Sequence, residues 1–318
     1  MPSLAATILV ASDVHGRIPM LLRAALEYQR SFGTVHAILV SGDLGVWPED
    51  ARLDKSTAKF ARTVPDELGF RAFAPLFPPP EPPRADAAQH LQRARTALAR
   101  VDRELKSPLY FVGGNHEDYE FLERCRAAAT QPPVPVDANG RLLWIPHGSV
   151  VAIPTPVGPL RVAGLGGISA QEGGRNPDKY HPMALLDEDA ALALMDQSST
   201  QWDVLVTHDS ARNFVHDGHG ASAIDVLVEE ARPTLHISGH YHTIREPKLY
   251  EAASDRASGM PRTLGVHVNT FQPDPADGLL RPNCLGVITI DEERTNRFEF
   301  VSAEFLRRFR ARNWYSLE

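Results

Sequence analysis

The sequence predicts an α/β fold, and three observations carry that reading. Short apolar, β-branched runs of strand length recur along the chain, and amphipathic helical segments alternate with them. The first alternation, strand–helix–strand, has the order of a parallel crossover unit. Several runs also stop abruptly and deliver a carboxylate, an amide or an imidazole. In α/β sheets the crevice outside the carboxyl ends of the strands is where ligands bind.

The first strand is Thr7-Ile-Leu-Val-Ala-Ser-Asp13, with Val14-His15-Gly16 as a turn. Ile18 to Ser31 has helical spacing in Met20, Leu21, Ala24, Ala25 and Tyr28, and Pro19 sits where a first turn tolerates it. Val35 to Asp43 is a second buried strand ending in Gly-Asp. A long excursion follows, about residues 47–107, containing the Pro-rich run Phe77 to Pro83 and a helix over Ala85–Lys106. Arg93, Arg95, Arg100, Arg103 and Lys106 give that helix a basic surface, read as a solvated face or as a cap or lid over an anionic substrate.

Leu109-Tyr-Phe-Val-Gly-Gly-Asn-His-Glu117 is a strand ending in a tight turn, and Asp118 to Ala129 is a short helix. Thr130 to Asn139 reads as a Pro-rich loop. Strands at 142–145, 149–153 and 160–163 look like a run of antiparallel hairpins, and Gly164–Ser169 with Gly173-Gly-Arg175 like a mobile glycine-rich loop. Asp187–Asp196 and Ser222–Ala231 are helical. Trp202–Asp209 and Thr234–His240 are strands, and strands at 266–269, 285–290 and 297–301 close the sheet region. The catalytic domain is expected to span 1–305, with 306–318 as a C-terminal tail or helix.

Composition narrows the function. The 43% of apolar residues suffice for a core, and a net charge of −7 argues against a polyanion binder relying on a basic surface. Bound divalent cations would offset several of those charges, so an enzyme gripping a phosphate through metals stays open. Two cysteines, Cys125 and Cys284, are too few for a disulfide framework and suit a reducing, cytoplasmic compartment. The start of the chain lacks a basic leader region, and no apolar run is long enough to span a bilayer. No membrane association is expected.

Five strands end in metal-capable residues: Asp13 with His15, Asp43, Asn115 with His116, His208, and His240 with His242. Polar residues after strands are common, but five such endings in order make a metal site the expectation. The donors are imidazole, carboxylate and amide, which suit Mn, Fe, Zn or Co better than calcium or magnesium. Alternate residues in Asp13-Val-His15 can face one way, as can His240 and His242. Glycines at 42, 114 and 239 allow close backbone approach or turn conformations. His181, His216, His219 and His267 read as surface residues. Trp47, Tyr119 and Tyr241 read as core, cleft wall or base-stacking platforms, and Glu117, Asp118 and Asp209 as turn acids or as partners of the site histidines.

In these blocks the chain resembles the calcineurin-like metallophosphoesterase superfamily, with D-x-H, G-D, G-N-H-[E/D], H and G-H-x-H present in order from Asp13 to His242. The resemblance implies a four-layer α/β/β/α sandwich and two divalent metal ions. It assigns Asp13, His15 and His242 to one ion, Asn115, His208 and His240 to the other, and Asp43 to both. His116 becomes the catalytic histidine that contacts the phosphate. Gly42-Asp43-Leu-Gly-Val-Trp-Pro-Glu lacks the arginine of the protein Ser/Thr phosphatase branch. The chain is most similar in look to the RNA lariat debranching enzyme group, although those enzymes often carry Cys where His15 stands. The implied function is a dinuclear-metal-dependent phosphodiesterase acting on a nucleotide, RNA or DNA phosphodiester by metal-hydroxide attack. The alternatives are a phosphomonoesterase and a non-catalytic metal-binding scaffold.

Overall fold

The computed structural model describes residues 5–79, 85–170, 176–196, 202–250, 262–311 and 313–316. Two sheets face each other and helices cover both outer faces, the four-layer arrangement expected. The first sheet has the order β13-β12-β1-β2-β3-β5-β4. Its parallel centre is β1 (Ala6–Ala11), β2 (Ala37–Val40), β3 (Leu109–Val112) and β5 (Leu142–Ile145). Its antiparallel margins are β4 (Val134–Pro135), β12 (Leu285–Ile290) and β13 (Asn296–Phe300). The second sheet runs β10-β11-β9-β8-β7-β6. Here β7 (Leu160–Leu165), β8 (Val204–Thr207), β9 (Leu235–Ser238) and β11 (Leu264–His267) are parallel, between β6 (Ser149–Ile153) and β10 (Lys248–Leu249) at the edges.

Strand alternation explains the layering. In β1, Ile8 and Val10 enter a core shared by the two sheets, whereas Leu9 and Ala11 enter a second core beneath the helices. The helices over the first sheet are α1 (Ile18–Phe32), α3 (Ala85–Glu104) and α4 (Tyr119–Ala128). Over the second sheet lie α5 (Glu188–Asp196) and α6 (Ser222–Ala231), with Leu194, Ile224 and Leu227 packed on Leu205 and Trp202. Parallel strands covered on both faces must be apolar throughout, which is why β2, β3, β8 and β9 are fully buried.

The segment between β2 and β3 holds a 3₁₀ turn at Asp50–Arg52, α2 (Lys55–Phe60), a 3₁₀ segment at Pro65–Ala72, and α3. It is stitched to the body by Arg17–Glu67 at 3.0 Å and Arg52–Asp118 at 2.8 Å, and Arg71–Asp50 at 2.9 Å braces it internally. The basic residues Arg93, Arg95, Arg100, Arg103 and Lys106 are all exposed, the solvated-face reading. At the other end of the chain, α7 (Ala303–Leu306) and the turn at Trp314–Ser316 bring Phe305, Leu306, Phe309 and Trp314 into the helix-side core.

Three local expectations change. The run from 142 to 163 is not a set of consecutive hairpins: β5 pairs in parallel with β3, and only β6 and β7 pair antiparallel, across in the second sheet. Part of the expected loop 130–139 is the edge strand β4. Gly164 and Leu165 belong to β7, and Gly167 donates its N–H to Gly113 O at 3.0 Å, so this glycine run is anchored; Gly173-Gly-Arg175 lies outside the described residues.

Candidate metal centre

The carboxyl ends of β1, β2 and β3 in one sheet and of β8 and β9 in the other meet at one rim of the sandwich. The seam is bridged where His208 Nδ1 lies 2.9 Å from Ser41 O, and within the second sheet Gly239 N–H donates to His208 O at 3.0 Å. Across the seam His240 N–H donates to Asp13 Oδ2 at 2.9 Å, and along the first sheet's rim His116 N–H donates to Asp43 Oδ1 at 2.8 Å. All seven residues named as candidate ligands, and His116, are thereby gathered in one place.

Their side chains form two adjoining groups. Ligand atoms of Asp13, His15 and His242 lie within 4.8 Å of one another, as do those of Asp13, Asp43 and His208. Asp43 stands between the two sides, its Oδ2 at 3.7 Å from His15 Nε2 and 3.5 Å from His208 Nε2. Asn115 Oδ1 is 3.2 Å from His208 Nε2, and the His240 ring centroid is 5.1 Å from that of His208. Asp13 thus contributes to both groups, a sharing that the motif order did not reveal.

The donor set fits divalent cations. Two fully buried carboxylates face imidazoles, an arrangement whose desolvation cost needs compensating positive charge. Burial would raise the Asp43 carboxyl, but His208 and His116 hold it well below the usual range. Burial pushes the His15 imidazole down to about 3, so its ring is neutral, and among the described residues its buried Nε2 has no hydrogen-bond partner. A neutral imidazole nitrogen aimed at carboxylates is what a cation of this type binds.

The chain is bent hard to present these groups. Asp13, His15, Asp43, His240 and His242 all have positive φ, between 44° and 76°. Left-handed backbone costs a non-glycine residue about 1–2 kcal/mol, and such strain persists where surrounding structure fixes it. Two of the motif glycines serve close approach. A Cβ on Gly114 would lie 2.0 Å from Asp43 Oδ1, and one on Gly239 would lie 1.8 Å from Ser12 Oγ and 2.6 Å from Asp13 Oδ2. These glycines admit the ligands of a neighbouring strand.

The acids near His116 divide differently from expectation. Glu117 is buried and accepts from Leu44 N–H and Val46 N–H, both at 2.7 Å, so it holds the loop after Asp43. Asp118 caps α4 by accepting from Phe121 N–H and pairs with Arg52. Neither touches the His116 ring. Its partner is Asp54, with Oδ2 at 2.9 Å from His116 Nδ1, which sequence reasoning missed. The only local signal was Asp54 as helix cap, accepting from Thr57 N–H and Oγ1 at 2.8 Å. Burial would lower His116, yet Asp43 and the Asp54 hydrogen bond push it up to about 9.

His267, read as a surface residue, is fully buried at the end of β11. His216 and His219 are exposed and ring Tyr241 at 5.6 and 6.1 Å. Trp47 and Tyr119 are buried, and Tyr119 donates its hydroxyl to Gly114 O at 2.6 Å, so neither exposes a ring on which a base could stack. Asp209 accepts from the Tyr241 hydroxyl at 2.6 Å and from Ser169 N–H at 2.8 Å.

Among solved structures, the chain is similar to TT1561 of Thermus thermophilus, at 15% identity and a TM-score of 0.45, covering 94% of this chain and 100% of that one. It is also similar to GAP50, the anchor in the inner membrane complex of Plasmodium, at 11% identity, TM-score 0.47, 94% and 85% covered. A third is the 5'-nucleotidase precursor from Thermus thermophilus, at 11% identity, TM-score 0.46, 93% and 54% covered. No curated protein matches. These likenesses are distant, and the assignment rests instead on a family model that spans the whole rim. That model, calcineurin-like phosphoesterase, matches residues 6–243, from β1 through the last candidate ligand, and the chain belongs to this family.

Proposed function

We propose that this chain is a metal-dependent phosphodiesterase that cleaves a nucleotide or nucleic-acid phosphodiester. The observation that carries the choice of a diester is the state of three arginines, one on the His15 turn and two in the segment after Asp43. Arg17 is paired with Glu67, Arg52 with Asp118 and Glu120, and Arg71 with Asp50. A monoester dianion, with its second charge, gains more than a diester from free guanidinium groups aimed at its oxygens. The nucleotide class, and kinship with the lariat debranching group, are supported by the motif blocks and by the absence of a phosphatase-type arginine after Asp43. Two buried free cysteines suit a cytoplasmic setting.

Asp13, His15 and His242 would hold one ion, Asn115, His208 and His240 the other, with Asp43 between them. When bound, two divalent ions supply Lewis-acid polarisation of the phosphate and an activated water for in-line attack. The chain supplies the proton. Asp54 accepts from His116 Nδ1 and fixes the ring, so Nε2 is the atom that protonates the departing oxygen. The His116 N–H to Asp43 Oδ1 bond keeps that ring beside the centre.

Protein reconstituted with Mn, Fe, Zn or Co is expected to favour bis-p-nitrophenyl phosphate over the monoester by at least about tenfold in kcat/KM, roughly 1.4 kcal/mol. Linear and 2′,5′-branched RNA, single-stranded DNA and cyclic nucleotides then identify the substrate. Preference for the monoester would overturn the diester reading, and no hydrolysis with any metal would leave a metal-binding scaffold.

A further inference from the structure

Asp209, fully buried, stands where three loops of the second sheet meet. It follows His208 directly at the end of β8. Its Oδ2 accepts from Ser169 N–H, after β7, at 2.8 Å, and its Oδ1 accepts from the Tyr241 hydroxyl, after β9, at 2.6 Å. Ser210 N–H also donates to Oδ1 at 2.8 Å. Tyr241 lies between His240 and His242, and its ring packs on the His240 ring at 4.9 Å and 69°. A short bond therefore joins the residue after one candidate ligand of the second ion to the residue after the other.

Position gives this bond its consequence. His240 sits at φ +76°, a conformation its own backbone disfavours, so something outside the residue must hold it there. A hydroxyl donating to a carboxylate is among the stronger hydrogen bonds in a protein. Besides the His240 N–H bond to Asp13 Oδ2, the first ion's ligands have anchors of their own: His242 Nε2 lies 2.9 Å from Asp13 Oδ1, and Thr270 Oγ1 donates to Asp13 O at 2.9 Å.

We infer that Tyr241 and Asp209 are positioning residues for the second metal site, setting the spacing of His208 and His240 and with it the affinity for that ion. The inference rests on the dinuclear reading above. Outer-shell partners of this kind typically change metal affinity 10–100-fold.

The test is isothermal titration of chelator-stripped wild type and Tyr241→Phe with Mn²⁺, followed by the visible spectrum of the Co²⁺ forms. Tyr241→Phe keeps the ring on His240 and removes only the hydroxyl. One of two binding events is expected to weaken by about 10–100-fold, with the other close to wild type and the Co²⁺ bands of one equivalent altered. Asp209→Asn, which keeps the side chain's volume, is expected to give the same selective loss should the first variant fold poorly. Two ions binding the variants as they bind wild type would overturn the inference alone. So would equal weakening of both events together with a lower unfolding midpoint of the metal-free protein, the mark of a purely structural bond. Uptake of fewer than two ions by wild type would overturn the dinuclear reading, and this inference with it.

Discussion

At the scale of single residues, the pairing of His116 with Asp54 makes a sharp prediction. If Nε2 of His116 protonates the leaving oxygen, His116→Ala should lower kcat by about 10²–10⁴-fold, the usual worth of a positioned general acid. It should leave metal content intact, since the imidazole is not among the seven candidate ligands. Asp54→Asn removes the charge that keeps Nδ1 protonated and aligned at 2.9 Å, so it should lower kcat by less and with little change in KM. The two should not add: in a His116→Ala background, Asp54→Asn should cost almost nothing more, because partners that act as a unit couple. Steady-state kinetics on the four proteins decides this. Additive losses would give Asp54 some other role, and loss of metal in His116→Ala would make that histidine a ligand.

At the scale of elements, the centre depends on strand ends from opposite sheets approaching within van der Waals contact. Gly239, at the end of β9, shows how little room there is, because an added Cβ would overlap Ser12 Oγ and press on Asp13 Oδ2, at the end of β1. Gly239→Ala must therefore move β9 away from β1, carrying His240 and His242 with it. The expected cost is that of overpacking a tight interior, about 1–3 kcal/mol, read as a lower unfolding midpoint, together with weakened binding of both ions. Ser12→Ala removes the nearest obstacle, so the double variant should recover part of the midpoint. Should Gly239→Ala bind two ions with unchanged affinity, the steric account of this motif glycine is wrong. The segment between β2 and β3 illustrates the same dependence over a longer range. Arg17–Glu67 pins it beside the His15 turn, Arg52–Asp118 pins it beside α4, and between these anchors Asp54 caps α2.

At the scale of the molecule, what the sequence disclosed depended on whether a feature is local. Asp13, Asp43, His116, His208 and His240 could be found because each comes within a few residues of the end of an apolar run, and a strand end is marked by its own neighbours. Asp54 could not, because its contact with His116 spans 62 positions and exists only after the segment folds back. The sheet assignment of β5 was hidden likewise: pairing partners are tertiary facts, and β4 and β10, two residues each, are too short for any periodicity. His267 looked solvated because of polar neighbours such as Arg262 and Asn269, yet its strand lies inside the second sheet, next to β9. The burial of such histidines has a consequence for the whole chain. His236, in β9, is fully enclosed, with Nε2 at 2.9 Å from Thr207 Oγ1 and Nδ1 at 2.6 Å from Tyr250 Oη. Burial, helped by His267, pushes it down to about 3. Its unfolded value is about 6.5, so between those values the unfolded chain binds a proton that the native chain refuses. Stability from the neutral ring is thus complete above about pH 6.5 and is lost progressively as the pH falls toward 3, at no more than about 1.4 kcal/mol per pH unit. His236→Asn keeps a polar side chain in the network without a titrating group. Urea unfolding of metal-free wild type and variant at pH 7, 6 and 5 (pH settings chosen to bracket roughly the upper part of that window) should show the gap between them narrowing, or reversing, as the pH drops. Curves that stay parallel would mean that His236 takes up its proton equally in both states, and that acid sensitivity arises elsewhere in the chain.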